Sequence, residues 1–117
     1  MTFTSEDHPE AREEFLDAVD YYDRQRAGLG SELIERFDLA VKEIEEAPEA
    51  WPMVPDWDSQ PVVRSHRVQT FRYRVVYYVR DDKVIIVAYA HTSREPGYWR
   101  HRVQGSSRPP ATDRTVK

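Results

Sequence analysis

The sequence predicts an α+β domain in which an antiparallel helical hairpin packs on one face of a small antiparallel sheet of three or four strands. Three observations predict this fold: two successive amphipathic helical patterns, a proline-rich segment without periodicity, and three successive strand-like patterns after it. A chain of 117 residues is long enough for one domain with one modest core. We therefore expect a single domain over residues 1–104 and a disordered tail over residues 105–117.

The first half of the chain predicts the two helices. From Pro9 to about Gln25, apolar residues recur at helical spacing between charged positions, and Asp7 with Glu10 predicts a capping box before this helix. A second helix is predicted to begin after Ser31 as its N-cap and to end at about Ala47. The connection is short and contains glycine, so the two helices must run antiparallel.

The second half predicts strands, because the apolar period drops to two. Three successive antiparallel strands are predicted at Val62–Val68, Phe71–Arg80 and Lys83–His91, and a short edge strand is predicted at Thr2–Thr4. Asp81-Asp82 fits a two-residue hairpin loop between the last two strands. This loop sets the predicted register of the hairpin, since a slip by one residue would break its apolar face.

The predicted register separates the last two strands into an apolar face and a basic face. The apolar face, expected under the helices, receives Tyr73, Val75, Tyr77 and Val79 opposite Ala90, Ala88, Ile86 and Val84. The opposite face, expected to be uncovered, receives Arg72 across from His91 and Arg74 across from Tyr89. An arginine across from His91 favours the neutral imidazole, which is the form that can act as a base.

Charge is distributed unevenly along the chain. The net charge is −4, but residues 1–60 carry 5 Lys and Arg against 17 Asp and Glu, whereas residues 61–102 carry 9 against 3. In the second segment arginine outnumbers lysine 8 to 1. Arginine is suited to bidentate contacts with phosphate or carboxylate, so the basic face is predicted to bind an anionic partner.

Several classes of site are not predicted. The chain has no cysteine and its four histidines are scattered, so we expect neither a metal site nor a cofactor. No apolar run approaches the length of about 20 residues that a membrane-spanning helix needs, and we expect a cytoplasmic protein with no membrane partner.

Three stretches of the chain, HPEAREEFLDAVDYYDRQRAGLG, FRYRVVYYV and VAYAHTSREPGYWRHR, resemble the RelE/ParE superfamily of type II toxin–antitoxin toxins. The resemblance covers about residues 8–102 and implies a RelE-like fold. It also implies a growth inhibitor that is neutralised by a cognate antitoxin, which binds operator DNA, so that this chain meets DNA only indirectly. We expect the antitoxin to cover the basic face with an acidic or mixed-polarity segment that adds to an exposed strand edge.

The superfamily contains two unlike activities, and whether this chain is an enzyme stays open. ParE-type members poison DNA gyrase, whereas RelE-type members cleave mRNA in the ribosome without a metal. Ribosome-dependent members of the superfamily are strongly basic, whereas this chain has a net negative charge, and the PGYW ending is common among members labelled ParE. Both features of the resemblance favour gyrase inhibition or an unassigned activity. The alternative is a ribosome-dependent mRNA endoribonuclease, and a further alternative is an inactive binding or corepressor module.

The resemblance implies a tentative catalytic set for the nuclease alternative. Arg74 matches the strand arginine directed at the scissile phosphate, and Tyr98 matches the C-terminal tyrosine near the attacking 2′-hydroxyl. His91 lies where such toxins offer a basic residue or a histidine. Further arginines are predicted to bind phosphate or the partner protein: Arg64, Arg67, Arg72, Arg94 and Arg102.

Overall fold

Residues 2–106 form helices on both faces of a four-stranded sheet in the computed structural model. The elements in chain order are β1 (Thr4–Asp7), α1 (Pro9–Gln25), α2 (Leu29–Glu46), β2 (Val63–Arg67), β3 (Tyr73–Arg80), β4 (Lys83–His91) and α3 (Arg100–Ser106). The α+β class is confirmed, as are the bounds of α1 and β4. The predicted tail over residues 105–117 lies outside the described residues, except that positions 105 and 106 continue α3.

The predicted capping box is wrong, because His8 caps α1 instead. His8 Nδ1 accepts a hydrogen bond from the Glu10 backbone N–H at 3.1 Å. Asp7 ends β1, and its carboxylate accepts from the Tyr89 hydroxyl and pairs with Arg12. Both oxygens of the Asp7 carboxylate are engaged by Tyr89 and Arg12, and the residue next to it caps the helix, so the pattern misplaced the cap by one position.

The second helix begins two residues earlier than its predicted cap. Gly28 is the N-cap of α2, with a left-handed φ of 91°, and Ser31 lies inside the helix. The Asp23 carboxylate accepts from the backbone N–H groups of Gly28 and Gly30 at 3.0 and 3.2 Å. A carboxylate of α1 thus replaces the local side-chain cap that the sequence predicted.

The sheet is mixed rather than antiparallel, with strand order β1-β4-β3-β2. β2, β3 and β4 form the predicted antiparallel meander, but β1 pairs with β4 in parallel, from Thr4 opposite Lys83 to Asp7 opposite Ile86. β1 also lies further along the chain than the predicted Thr2–Thr4. Because β1 leads directly into α1 and not into a hairpin turn, its connection does not require an antiparallel neighbour.

The predicted register is correct near the hairpin loop and wrong beyond it. Val79 faces Val84 and Tyr77 faces Ile86 as predicted, but an irregularity between Val76 and Tyr77 shifts the pairing by one residue. From there to the end of the strands, Tyr73 faces His91 and Arg74 faces Ala90. The extra residue is Val87 of β4, which has no partner on β3. After Val87, each side chain of β4 therefore lies on the opposite face of the sheet from the one predicted.

The face of β3 that was predicted to lie under the helices does so. Val75 and Tyr77 are buried in the helical core, and Tyr73 and Val79 pack against it. On β4 the bulge brings Tyr89 into this core, where its ring lies 5.2 Å from Phe15 and 4.9 Å from Phe37. Ala88, expected there, belongs to the opposite face.

The opposite face of the sheet is covered, contrary to the expectation. Trp99 and Val103 of the C-terminal segment pack with Trp57 of the loop before β2 over this face. Together they bury a second apolar cluster that includes Val63, Val76, Tyr78, Ile85, Val87 and Ala88. The end of the sheet where β3 begins and β4 ends keeps polar side chains accessible, among them Arg72 and His91.

The outer edge of β2 is partly occupied by the chain itself. Val54 N–H donates to Val63 C=O at 2.9 Å, and Ser65 N–H donates to Pro52 C=O at 3.0 Å. The predicted addition of an antitoxin strand therefore cannot take place along this part of the edge without displacing the loop. No helix of residues 2–106 is long and apolar enough to cross a lipid bilayer.

Candidate functional site

Six of the eight predicted site residues lie around the end of the sheet where β3 begins and β4 ends. They are Arg67, Arg72, Arg74, His91, Arg94 and Tyr98. Two cavities meet there. One, of about 410 Å³, is bordered by Arg74, Arg94 and Arg100 and is called the arginine cavity below. The other, of about 550 Å³, is bordered by Arg67, Arg72 and Arg74, so that Arg74 lines both.

Arg74 is held in place by uncharged acceptors. Its Nε donates to Ser65 Oγ at 2.9 Å, and its Nη2 lies 3.5 Å from the Ser65 carbonyl oxygen. Its cross-strand partner is another cation, Arg67. Burial, and secondarily the charge of Arg67, lowers the pKa of Arg74 from its ordinary value. The prediction that Arg74 lies on the face away from the helical hairpin is confirmed.

Arg94 and Tyr98 also line the arginine cavity. The Arg94 guanidinium lies 3.8 Å from the centre of the Tyr98 ring, in a cation–π contact. The Tyr98 hydroxyl does not point at Arg74, because it donates to Glu14 Oε2 at 2.7 Å. Burial first, and the bond to Glu14 second, raise the pKa of Tyr98 well above its ordinary value.

Glu14 of α1 organises this region and was missed in the sequence. Its Oε1 accepts from the Tyr89 backbone N–H at 3.0 Å, and its Oε2 accepts from Tyr98 and from Arg102 Nη2, the latter at 3.0 Å. In the helical pattern Glu14 is one of many charged positions, and nothing local distinguishes it. Its partners follow it by 75 residues or more, so only the tertiary structure could reveal its role.

Arg102 is not presented at the surface, contrary to the prediction that it binds phosphate or a partner. The residue is 6% exposed. Its guanidinium pairs with Glu14 and, at 3.4 Å, with Glu10, and its Nη1 donates to Val87 C=O at 3.0 Å. Beyond Asp7, β1 no longer covers the edge of β4, and Arg102 and Glu14 bind the backbone groups left there. Arg102 thereby attaches α3 to α1 and to the sheet.

Arg64 lies away from the other candidate residues. Its Cα partner is Tyr77, which belongs to the helical side of the sheet, and its Nη1 donates to Trp51 C=O at 2.8 Å. Arg67, three positions later, falls on the face of Arg74 because side chains alternate along a strand. The structure therefore separates two arginines that charge counting had grouped together.

His91 borders the arginine cavity, but across from Tyr73 and not across from Arg72. Its Nδ1 accepts from the Ser93 backbone N–H at 3.1 Å and lies 2.8 Å from Ser93 Oγ. This contact places the proton of the neutral ring on Nε2. In this tautomer Nδ1 carries the lone pair, which already accepts the hydrogen bond from the Ser93 backbone N–H. The imidazole therefore has no unoccupied nitrogen that could act as a base.

The arrangement suits the binding of an anion better than acid–base chemistry. Arginine side chains converge on the two cavities, whereas the tyrosine hydroxyl and the histidine acceptor nitrogen are bonded within the protein. Among residues 2–106, no group of three or more histidine, aspartate and glutamate side chains is placed to hold a metal ion.

Comparison with known proteins identifies the family. The family model of the ParE toxin of the type II toxin–antitoxin system parDE matches residues 7–96. The solved structure described as the chromosomal ParDE TA system from P. aeruginosa aligns with a TM-score of 0.64 at 12% identity, covering 76% of this chain and 95% of that chain. At that identity the likeness shows the fold alone, and no curated protein matches the chain. Since the family model spans well over half of the sequence, the chain belongs to the ParE toxin family and is a toxin of a type II toxin–antitoxin system.

Proposed function

We propose that this toxin inhibits growth by binding DNA gyrase and that it is not an mRNA endonuclease. The observation that carries the proposal is the hydrogen bond from the Tyr98 hydroxyl to Glu14 Oε2. A nuclease of the RelE type would need this hydroxyl near the attacking 2′-oxygen. Here it is turned to α1, and its raised pKa opposes formation of a tyrosinate that could act as a base.

The position of His91 supports the same proposal. A general base needs a free lone pair within reach of the proton that it removes, and Nδ1 of His91 is already engaged by Ser93. Without Tyr98 and His91, Arg74 and Arg94 could bind a phosphate, but no residue among the predicted catalytic set would then move a proton.

The charge of the molecule also favours a protein target over the ribosome. Residues 1–60, which contain both long helices, have 12 more acidic than basic side chains. An acidic helical layer is repelled by ribosomal RNA. It does not oppose docking of the arginine end, which is the end of the sheet bordered by Arg67, Arg72, Arg74 and Arg94, on a protein surface.

The mRNA endonuclease is the second candidate, because Arg74, His91, Arg94 and Tyr98 do border one cavity. A ribosome could reorganise these side chains as it binds. The third candidate, an inactive corepressor module, requires neither activity.

One pair of assays separates the three candidates. Purified toxin is added to gyrase with relaxed plasmid and ATP, and in parallel to a reconstituted translation system with a labelled mRNA. We expect loss of supercoiling at toxin concentrations that leave the mRNA intact, and recovery when the toxin is first saturated with its antitoxin. Cleaved mRNA with normal supercoiling would overturn the proposal in favour of the nuclease. A toxin without effect in either assay would overturn it in favour of the corepressor module or of an activity on another target, and growth inhibition on expression without the antitoxin separates these two.

A further inference from the structure

Arg74 carries a charge that the described protein leaves without a counterion. Its side chain is half-buried and donates only to the hydroxyl and carbonyl oxygens of Ser65. Among residues 2–106, no carboxylate forms an ion pair with it, and its cross-strand partner is the cation Arg67. A partly buried cation beside a second cation is unfavourable unless an anion joins it, so the site favours an anionic ligand.

The arginine cavity offers such a ligand cations and an apolar lining. Arg74 and Arg94 both border it, and Arg94 likewise has no carboxylate partner among the described residues, whereas Arg100, also at this cavity, donates to the Asp56 carbonyl oxygen. The apolar side chains of the lining, called the floor below, are Val54, Val76, Ala90 and Trp99. A ligand that fits this lining carries one anionic group on an apolar stem or beside an apolar neighbour.

The surroundings favour a carboxylate over the phosphates of a nucleic acid. Asp56 and Glu95 also line this cavity, so a chain with a negative charge at every unit would meet repulsion from them. The three arginines that border the cavity outnumber its two acids, so a single carboxylate bound at Arg74 and Arg94 is attracted to it. Carboxylate and guanidinium also match in geometry, since both are planar and form paired hydrogen bonds.

We propose that the arginine cavity is the docking pocket for one aspartate or glutamate side chain of the antitoxin, received by Arg74 and Arg94. An apolar residue next to that acid packs against Trp99 and Val54 at the floor. Recognition takes place through side chains, because the loop at residues 52–54 already pairs with the nearby edge of β2. This inference rests on the family membership and not on gyrase as the target, so each can fail without the other.

The test measures binding of the antitoxin encoded beside this toxin to variants of the full toxin chain. Arg74→Gln removes the charge but keeps a hydrogen-bond donor for Ser65, and Arg94→Ala removes the second cation. The matched control is Arg24→Gln, on the exposed surface of α1, where Arg24 pairs only with Asp20 at 3.1 Å. Circular dichroism and thermal unfolding verify that each variant is folded, and Arg74→Lys serves as a second variant that keeps the charge.

We expect Arg74→Gln and Arg94→Ala each to weaken antitoxin binding at least tenfold, with Arg24→Gln within twofold of wild type. When the acidic residues of the antitoxin are replaced one at a time by their amides, one replacement should cause a similar loss of affinity. The same replacement should cause little further loss when the toxin already carries Arg74→Gln. The proposal would be overturned if folded Arg74→Gln bound the antitoxin with wild-type affinity. It would also be overturned if the binding loss from every antitoxin acid-to-amide replacement simply added to the loss from Arg74→Gln. A single-stranded oligonucleotide that displaces antitoxin from wild type but not from Arg74→Gln would overturn it as well, since the cavity would then be a phosphate site.

Discussion

At the residue scale, Glu14 shows how one partly buried carboxylate can serve several structural purposes. It accepts a backbone N–H from β4, a hydroxyl from Tyr98 and an N–H from Arg102. Each of these donors would otherwise be left in a largely apolar environment, where an unpaired polar group costs about 1–3 kcal/mol. The bond from the Tyr98 hydroxyl to Glu14 is also the observation on which the proposed function rests.

The first prediction concerns Tyr98→Phe. The ring remains to support Arg94, while the hydroxyl bond to Glu14 is lost, so the free energy of unfolding should fall by about 1–2 kcal/mol with growth inhibition retained. Urea unfolding and growth at matched protein levels measure the two effects. Tyr21→Phe is the control, since Tyr21 is 58% exposed. Complete loss of toxicity in folded Tyr98→Phe would return the hydroxyl to a catalytic role.

At the scale of elements, the helical hairpin is held together by a close approach at Gly30. A Cβ built on Gly30 would lie 2.7 Å from the Val19 carbonyl oxygen of α1 and 3.0 Å from Cβ of Asp23. The two helices can therefore come together only where α2 has no side chain. The Asp23 carboxylate uses this proximity to cap the first turn of α2.

The second prediction follows from this contact. Gly30→Ala gains about 1 kcal/mol of helix propensity, but the clash with the backbone of α1 should outweigh it, with a net loss of about 1–3 kcal/mol in stability. Ser31→Ala is the matched control at the next position, because Ser31 is exposed and does not act as the N-cap. Urea unfolding of both variants measures the difference. A Gly30→Ala protein as stable as wild type would show that the helices pack less closely than described.

At the scale of the whole molecule, the two long helices are strongly acidic and the arginine end is basic. Several tyrosine side chains are packed in or against the two apolar clusters of the sheet. Burial is the largest cause that raises the pKa of each of Tyr73, Tyr77, Tyr89 and Tyr98, with values of about 12 for the first two. These hydroxyls bind their protons more tightly in the folded chain than in the unfolded chain, where tyrosine titrates near pH 10.

The third prediction is that the protein loses stability in alkali. Because the folded pKa values are raised, the stabilisation is complete below about pH 10 and is lost as pH rises toward 12, by at most about 1.4 kcal/mol per pH unit for each tyrosine. Urea unfolding at a series of pH values from 8 to 11.5 measures the slope, and tyrosinate absorbance should rise together with unfolding. Tyr77→Phe should show a shallower slope than wild type. Tyrosine ionisation that precedes unfolding would contradict the burial of these hydroxyls.

Much of the fold was determined by local sequence pattern. The helical period placed α1 at Pro9–Gln25, the alternating period placed β4 at Lys83–His91, and Asp81-Asp82 set the register at the hairpin loop. These features depend on residues within one or two turns of each other, and their chemistry can be read from neighbouring positions. The motifs that resemble RelE/ParE toxins were likewise sufficient to predict the family.

Tertiary structure alone decided the features that define the site. The bulge at Val76 and Tyr77 moved His91 away from Arg72, and the packing of Trp99 covered a face expected to be open. Glu14 engaged Tyr98 and Arg102 across more than 80 residues of sequence. A bulge, a parallel edge strand and a partly buried carboxylate each leave no local period, because the energy that favours them comes from contacts between distant segments. The sequence by itself therefore determined which residues are basic, and the fold determined which of them line the two cavities.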